Sequence, residues 1–144
     1  MKPRSAGAQV PLPAGLTRRF ASLAYEVLLV LALSFFAGFA FQGASASLLE
    51  GVSRHLFRAY LFLVIGLYFI PCWIRGGQTL PMKAWGLKLV SKHGAPVTAA
   101  GATARYLIAW VSLSMLGLGF LWAEWDSERQ FLHDRLAGTR IVRI

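Results

Sequence analysis

A carboxylic acid inside an apolar stretch, Glu26, is the side chain of this sequence that most clearly points to chemistry. A carboxylate in apolar surroundings is costly, so such a residue is either an ion or proton site or an interhelical hydrogen bond that fixes packing. Arg19 precedes it by seven residues, which is almost two helical turns and about 10 Å along one helix face. The two side chains therefore share a face without pairing directly, and both interpretations of Glu26 stay open.

A second group of candidates lies toward the C-terminal end, where four of the six acidic residues fall within eleven positions: Glu124, Asp126, Glu128 and Asp134. This group is either a partner site for arginines or a cation, or a solvated and locally neutral segment. Arg18, Arg19 and Arg105 lie at the ends of apolar stretches, where an arginine either reaches the interface or contacts an acidic group. We expect Arg19 and Glu26 to form one polar network with this acidic region, above all with Asp134.

Other reactive side chains do not combine into a catalytic set. His133 next to Asp134 is similar to half of a metal-dependent phosphohydrolase motif, but only His55 and His93 remain as further histidine ligands. The single cysteine, Cys72, excludes an internal disulfide and a cysteine-based metal site. A Ser-His-Asp set, a P-loop and a glycine-rich dinucleotide turn are also absent. We therefore expect no enzyme activity, no cofactor and no bound metal.

The composition indicates a membrane protein. Of 144 residues, 56% are hydrophobic and 15% are charged, and the mean hydropathy is +0.54. A soluble domain carries about 25% charged residues. Fifteen Lys and Arg against six Asp and Glu give a net charge of +9, but a nucleic-acid binder would place its basic residues on a polar surface that this chain lacks. The length allows one domain.

Three apolar stretches are long enough to cross a bilayer, which takes about 20 residues. They predict an all-α membrane fold with three hydrophobic helices, over about 18–41, 56–74 and 104–125, and short amphipathic surface helices. Residues 1–16 are rich in Pro, Ala and Gly and are predicted to be a mobile tail. The membrane domain is then residues 17–144.

Two polar segments, the surface segment 75–103 and the C-terminal segment 126–144, complete the predicted domain. Each contains a short strand-like run, at 85–90 and at 139–144. Pairing these runs would satisfy open strand edges, and it requires both to lie on one side of the membrane. The glycine-containing run 116–119 could bend the third stretch into a re-entrant pair of half-helices, whereas three full spans would put the C-terminal segment on the opposite side. The sequence leaves both alternatives open.

Basic residues predict the orientation. Lys and Arg number four before the first span, two between the first and second, five between the second and third, and four after the third. By the positive-inside rule the N-terminus and residues 75–103 are cytoplasmic and residues 43–54 are outside. The four basic residues after the third stretch favour the cytoplasm, in conflict with three full spans.

Several motifs, spread over residues 13–144, have a pattern in common. They are Pro13-Ala14-Gly15-Leu16-Thr17-Arg18-Arg19-Phe20 followed by Glu26; Gly77-Gln78-Thr79-Leu80-Pro81-Met82-Lys83 with Gly86-Leu87-Lys88-Leu89-Val90; and Asp126 with His133-Asp134-Arg135-Leu136-Ala137-Gly138-Thr139. Together they resemble the RDD family of small multi-pass membrane proteins, which is named for one arginine and two aspartates. The terminal run is the most specific part of the resemblance.

The resemblance implies site residues. Arg19 matches the family arginine, Glu26 stands where the first aspartate is expected, and Asp134 matches the second aspartate, with Asp126 as the other candidate. Arg18, Arg105 and His133 are supporting candidates. The sequence departs from the family at two positions, because Glu26 keeps the charge on a longer side chain and Pro81 replaces an expected glycine in the surface segment.

Two functions stay open, and the resemblance implies a membrane role without defining a substrate. The first is a small transporter or transporter subunit for monovalent cations or protons, with Glu26 as the exchanging carboxylate. It would work as a homo-oligomer or with a partner membrane protein, because three spans cannot enclose a pathway. The alternative is a non-catalytic scaffold or assembly factor. For either function we expect the protein to lie in the lipid bilayer of the bacterial cytoplasmic (inner) membrane. We expect no nucleic-acid partner.

Overall fold

Two long helices dominate the computed structural model, which describes residues 12–48 and 54–144. Helix α1, Leu16–Leu48, has 33 residues, and its length of about 50 Å exceeds the roughly 30 Å core of a bilayer. Helix α2, Arg54–Arg75, has 22 residues and packs against α1. Both helices are long and apolar enough to cross a membrane. Large apolar side chains cover the outside of α1, as a lipid-facing surface requires: Leu31, Phe35, Phe36 and Phe39.

The segments 76–98 and 125–144 pack together and are called the polar layer. A short helix, α3, covers Leu80–Ala84, and strand β1 covers Leu87–Ser91. Thr79 caps α3 by accepting a hydrogen bond from the backbone N–H of Met82 at 3.4 Å, and Pro81 suits the first turn because its missing N–H is not needed there. The short helix predicted for this segment is therefore present.

The third apolar stretch is broken, and so differs from the continuous helix predicted over 104–125. Helix α4, Ala99–Ser114, ends where Leu116 and Gly117 both take positive φ angles of 58° and 75°. Helix α5, Leu118–Leu121, and a 3-10 turn at Trp122–Glu124 then leave at 106° to α4. Glycine adopts a positive φ at little cost, whereas leucine rarely adopts one. The backbone conformation of these two residues produces the bend.

The chain returns to the polar layer after this bend. Helix α6, Leu132–Leu136, packs against α4, and strand β2, Thr139–Arg143, pairs antiparallel with β1 from Leu87↔Arg143 to Ser91↔Thr139. The predicted strand pairing is confirmed. Since β1 precedes α4 and β2 follows α6, both ends of the bent pair lie at the same end of the helices, which supports the re-entrant alternative.

The start of the described chain also joins the sheet. Pro13 forms a bridge to Val142, and the backbone N–H of Ala14 donates to Ile141 O at 3.3 Å. The order of residues 12–16 differs from the mobile tail predicted for residues 1–16, because Leu12 and Ala14 form backbone hydrogen bonds with the edge of β2 that β1 leaves free. Residues 1–11 of that tail, and 49–53 of the predicted external connection, lie outside the described residues.

The largest fully buried side chains lie in the polar layer rather than between α1, α2 and α4. Leu87, Leu89, Thr79 and Asp134 have no exposed surface, and Val142 has almost none. Helix association in lipid gains no hydrophobic contribution, so apolar helices can stay exposed while the polar layer forms the packed core. That core fixes the positions of the charged residues described next.

Candidate functional site

A cavity of about 340 Å³ lies among α1, α2 and α4, next to the polar layer. Arg19, Glu26, Arg105 and His133 all line it, so the fold brings together side chains that are far apart in the sequence. The α1 residues involved recur at spacings of three and four, which places Arg19 and Glu26 on one helix face, as the sequence predicts.

The most buried contact at this site is the ion pair between Arg105 and Asp134. Nε of Arg105 donates to Oδ1 of Asp134 at 2.6 Å, and the two side chains are 8% and 0% exposed. The guanidinium also lies 4.2 Å from the centre of the Trp73 ring, a cation–π contact. In such surroundings each charge depends on the other, since removing one leaves an uncompensated buried charge.

His133 is next to this pair and is neutral at pH 7. Burial lowers the pKa of its imidazole to about 4, because the charged form would lose its hydration. Its Nε2 lies 3.6 Å from Oδ1 of Asp134, too far for a hydrogen bond, while the ring stacks on Phe131. His133 therefore acts as a packed, uncharged neighbour of Asp134.

Arg19 anchors α1 to the C-terminal part of the chain. Its guanidinium donates to Arg129 O at 2.5 Å and to Ile141 O at 3.0 Å. The side chain is only 2% exposed. Arg18 points elsewhere and donates to Trp85 O at 3.3 Å, outside the cavity. Of the two neighbouring arginines, Arg19 is thus the residue of the site.

Glu26 is held by a residue that the sequence analysis did not single out. The hydroxyl of Thr79, which also caps α3, donates to Oε1 of Glu26. This contact ties α1 to α3 and orients the carboxyl group in the wall of the cavity. The sequence did contain an indication of this role. Thr79 stands just before Leu-Pro, as a helix cap does, within one of the motifs that carry the family resemblance.

Asp126 lies apart from the cavity. It pairs with Arg135 and accepts a hydrogen bond from the backbone N–H of Gln130 at 3.0 Å. That hydrogen bond, together with Arg135, lowers the pKa of its carboxyl group. Of the two candidates for the second family aspartate, Asp134 is the one that belongs to the charged cluster.

The charged cluster consists of Arg19, Glu26, Arg105 and Asp134, with neutral His133. It contains two guanidinium groups and two carboxyl groups, of which Arg105 and Asp134 form an ion pair. Within the described chain no hydrogen bond joins Arg19 or Glu26 to Asp134: Arg19 bonds backbone carbonyls, Glu26 bonds Thr79, and Asp134 pairs with Arg105. Among the described residues no three His, Cys, Asp or Glu side chains are grouped to hold a metal ion.

Comparison with known proteins assigns the chain. The model of the RDD family matches residues 13–138. No curated protein and no solved structure matches the chain. The matched segment contains every member of the charged cluster and Thr79, and it covers most of the 144 residues. The protein therefore belongs to the RDD family.

Proposed function

We propose that the protein is a membrane transport protein or a transporter subunit, in which Glu26 exchanges a proton for a monovalent cation. The observation that carries this proposal is a carboxylic acid that lies inside a spanning helix and also lines a cavity. Ionisable residues at membrane depth are costly and often mark ion pathways. Glu26 is ten residues into α1, about 15 Å from its first residue.

The surroundings of Glu26 suit exchange. The Thr79 hydroxyl uses one of the acceptor positions on the carboxylate, which leaves others for a proton or a cation. The Arg105 guanidinium is fixed by Asp134 in the same cavity, and its charge would discourage a second cation from entering. Glu26 can then hold either a proton or one cation, but not both.

A route to Glu26 from the polar layer leads past Arg19. A second cavity of about 540 Å³ is lined by Arg19 and Ile141, together with Ser127, Arg129 and Arg140. Arg19 and Ile141 also line the first cavity, so they stand between the two. In this proposal the Arg19 side chain, bonded to Arg129 O and Ile141 O, closes the route.

The proposal extends to assembly and location. Two long helices and one bent pair are too few to enclose a pathway, so the protein would act as a homo-oligomer or with a partner membrane protein. We place it in the bacterial cytoplasmic membrane, with the N-terminus, residues 75–103 and the C-terminal segment in the cytoplasm. It would act without a cofactor and without catalysing a covalent reaction.

Proton flux in liposomes tests the transport proposal. Purified protein is reconstituted with an internal pH-sensitive dye, and a sodium or potassium gradient is imposed. We expect cation-dependent proton movement that Glu26→Gln abolishes, since glutamine cannot bind a proton or balance a cation. The matched control is Glu124→Gln, because Glu124 is exposed and outside the cavity. Absence of flux from the unchanged protein would discard transport.

The hydrogen bond between Thr79 and Glu26 favours a second candidate, a non-catalytic scaffold or assembly factor. In that role the charged cluster only locks helix packing, and the polar layer docks a partner. Glu26→Gln would then be tolerated because it keeps the hydrogen bond, whereas Glu26→Leu would weaken packing. Thermal unfolding of both variants, measured beside the flux assay, separates the two functions.

A further inference from the structure

We propose that the cavity holds a phospholipid from the leaflet next to the polar layer, with its phosphate on Arg105 and an acyl chain between α1 and α4. The proposal goes beyond transport and does not depend on it. It is carried by the direction in which the cavity changes from polar to apolar, by its opening, and by unpaired donors at its polar end.

The cavity is polar at one end and apolar at the other. Along α1 its lining begins with Arg19, Ser22 and Glu26 and ends with Val30 and Leu31. From Arg19 to Leu31 the helix rises about 18 Å, close to the roughly 15 Å depth of one leaflet's hydrocarbon. The polar end adjoins the polar layer. The cavity is therefore oriented like a lipid in the leaflet next to that layer, whose headgroup lies at the same end.

The other two helices repeat the gradient. On α4 the lining runs from Arg105 at the polar end to Leu113 at the apolar end. Helix α2 runs in the opposite direction, so its later residue, Trp73, is at the polar end and Ile65 is at the other. Three helices therefore present matching ends to a ligand with a polar head and an apolar chain.

The cavity opens toward lipid beyond Glu26. Val27 and Leu31 of α1 and Leu113 of α4 line it, yet each is more than half exposed. The opening therefore lies between α1 and α4, and an acyl chain can enter it without leaving the bilayer. The volume of about 340 Å³ is within the range of small-ligand sites, roughly 300–1,000 Å³, most of whose lining is apolar.

The polar end offers hydrogen-bond donors that the described chain leaves unused. Arg105 bonds Asp134 through Nε alone, which leaves its terminal N–H groups for another acceptor. Trp73 Nε1 and Arg19 Nε also lack a hydrogen-bond partner among the described residues, as does the acceptor Oδ2 of Asp134, but these three atoms are buried away from the cavity. A phosphate supplies several acceptor oxygens and suits the planar fork of arginine.

A phospholipid accounts for these features together. The unused terminal N–H groups of Arg105 suit an anionic headgroup, and the apolar half of the cavity suits a hydrocarbon chain better than water. The bound lipid would also form the missing wall between α1 and α4. Such a wall would separate the charged cluster from the bulk hydrocarbon of the bilayer.

Native mass spectrometry of the detergent-purified protein tests the headgroup contact. Dioleoyl phosphatidylethanolamine and dioleoyl phosphatidylglycerol are each titrated, and dioleoylglycerol, which has the same chains without a phosphate, is the comparison. We expect a one-to-one complex with at least one phospholipid, bound at least tenfold more tightly than dioleoylglycerol. Equal binding of dioleoylglycerol, or no complex with either phospholipid, would overturn the proposal.

Two substitutions on α4 test the chain-binding part. Ala109→Phe would fill the cavity that Ala109 lines, and we expect it to weaken phospholipid binding at least tenfold. Val111→Phe is the matched control, because Val111 is exposed and outside the cavity, and it should leave binding unchanged. Unchanged binding by Ala109→Phe would show that the chain lies elsewhere. All measurements are made without an ion gradient, so they stand whether or not the protein transports cations.

Discussion

Replacing Arg105 with methionine should strongly destabilise the protein. Asp134 has no exposed surface, and it would lose the donor that lies 2.6 Å from its Oδ1. His133 cannot take over, because its Nε2 is 3.6 Å away and burial keeps the pKa of its imidazole at about 4. A buried carboxylate without a positive partner remains.

The magnitude follows from the burial of the pair. Removing one partner of a buried ion pair costs about 3–5 kcal/mol, and loss of the cation–π contact with Trp73 adds roughly 0.5–2 kcal/mol. The methionine thioether, itself a good neighbour for an aromatic ring, offsets part of that second loss. We expect the free energy of unfolding to fall by about 4 kcal/mol. Adding Asp134→Asn should recover part of it by removing the unpaired charge.

The chain contains its own control, a second Arg–Asp pair near the surface. Arg135 pairs with Asp126 but is about half exposed, and Asp126 keeps the backbone donor of Gln130 when Arg135 is lost. Exposed pairs contribute up to about 1 kcal/mol. Denaturant unfolding in detergent micelles, followed by tryptophan fluorescence, measures Arg105→Met and Arg135→Met side by side. Equal losses in the two variants would refute the central role of the buried pair.

Three further predictions concern the bend, pH and sidedness. Gly119→Ala should lower the free energy of unfolding by about 1–3 kcal/mol, since its Cβ would overlap Oγ and Cβ of Ser112, whereas Gly43→Ala meets nothing within 4 Å and should be harmless. The free energy of unfolding should fall by up to about 3 kcal/mol as the pH drops from about 6.5 to about 4, because unfolded histidine binds a proton that native His133 does not. Unfolding curves at pH 7, 5.5 and 4 should show a smaller fall for His133→Gln than for the unchanged protein. Cysteines placed at residues 93 and 128, in a Cys72→Ala background, should be labelled by an impermeant maleimide from the same side of oriented vesicles.

Each of these has a contrary outcome. A Gly119→Ala protein as stable as the Gly43→Ala protein would mean that the bend can relax around an extra methyl group. An identical pH response in His133→Gln would assign the acid sensitivity to other groups. Labelling of residues 93 and 128 from opposite sides would contradict the return of the chain to the sheet.

The sequence predicts the membrane class and the elements well, because these depend on local patterns. Long apolar stretches identify α1 and α2 directly, and the alternation of aliphatic and basic residues at 85–90 and 139–144 identifies the two strands. The bend of the third stretch was only one of two open alternatives. It depends on a positive φ at Leu116, and a leucine in a sequence does not indicate such a conformation.

The sequence indicated which residues belong to the candidate site better than it indicated their contacts. Arg19, Glu26, Arg105 and Asp134 were all candidates, but the partners of each depend on how α3 and α6 pack against the membrane helices. Arg19 was expected to join the acidic region through a carboxylate and binds backbone carbonyls instead, which no side-chain pattern records. Thr79 was missed because its position before a short helix is already explained by helix capping, so nothing in the sequence pointed to a second contact.

The two carbonyls that hold Arg19 have a consequence for how the protein is made. They belong to residues 110 and 122 positions further along the chain. At about 5–20 residues per second, the ribosome delivers them on the order of 5–25 s after Arg19 itself. During that interval α1 and α2 can already be in the membrane while the Arg19 guanidinium still lacks both acceptors. Until the last strand is made, the Arg19 guanidinium can be solvated only by water, lipid headgroups or another protein.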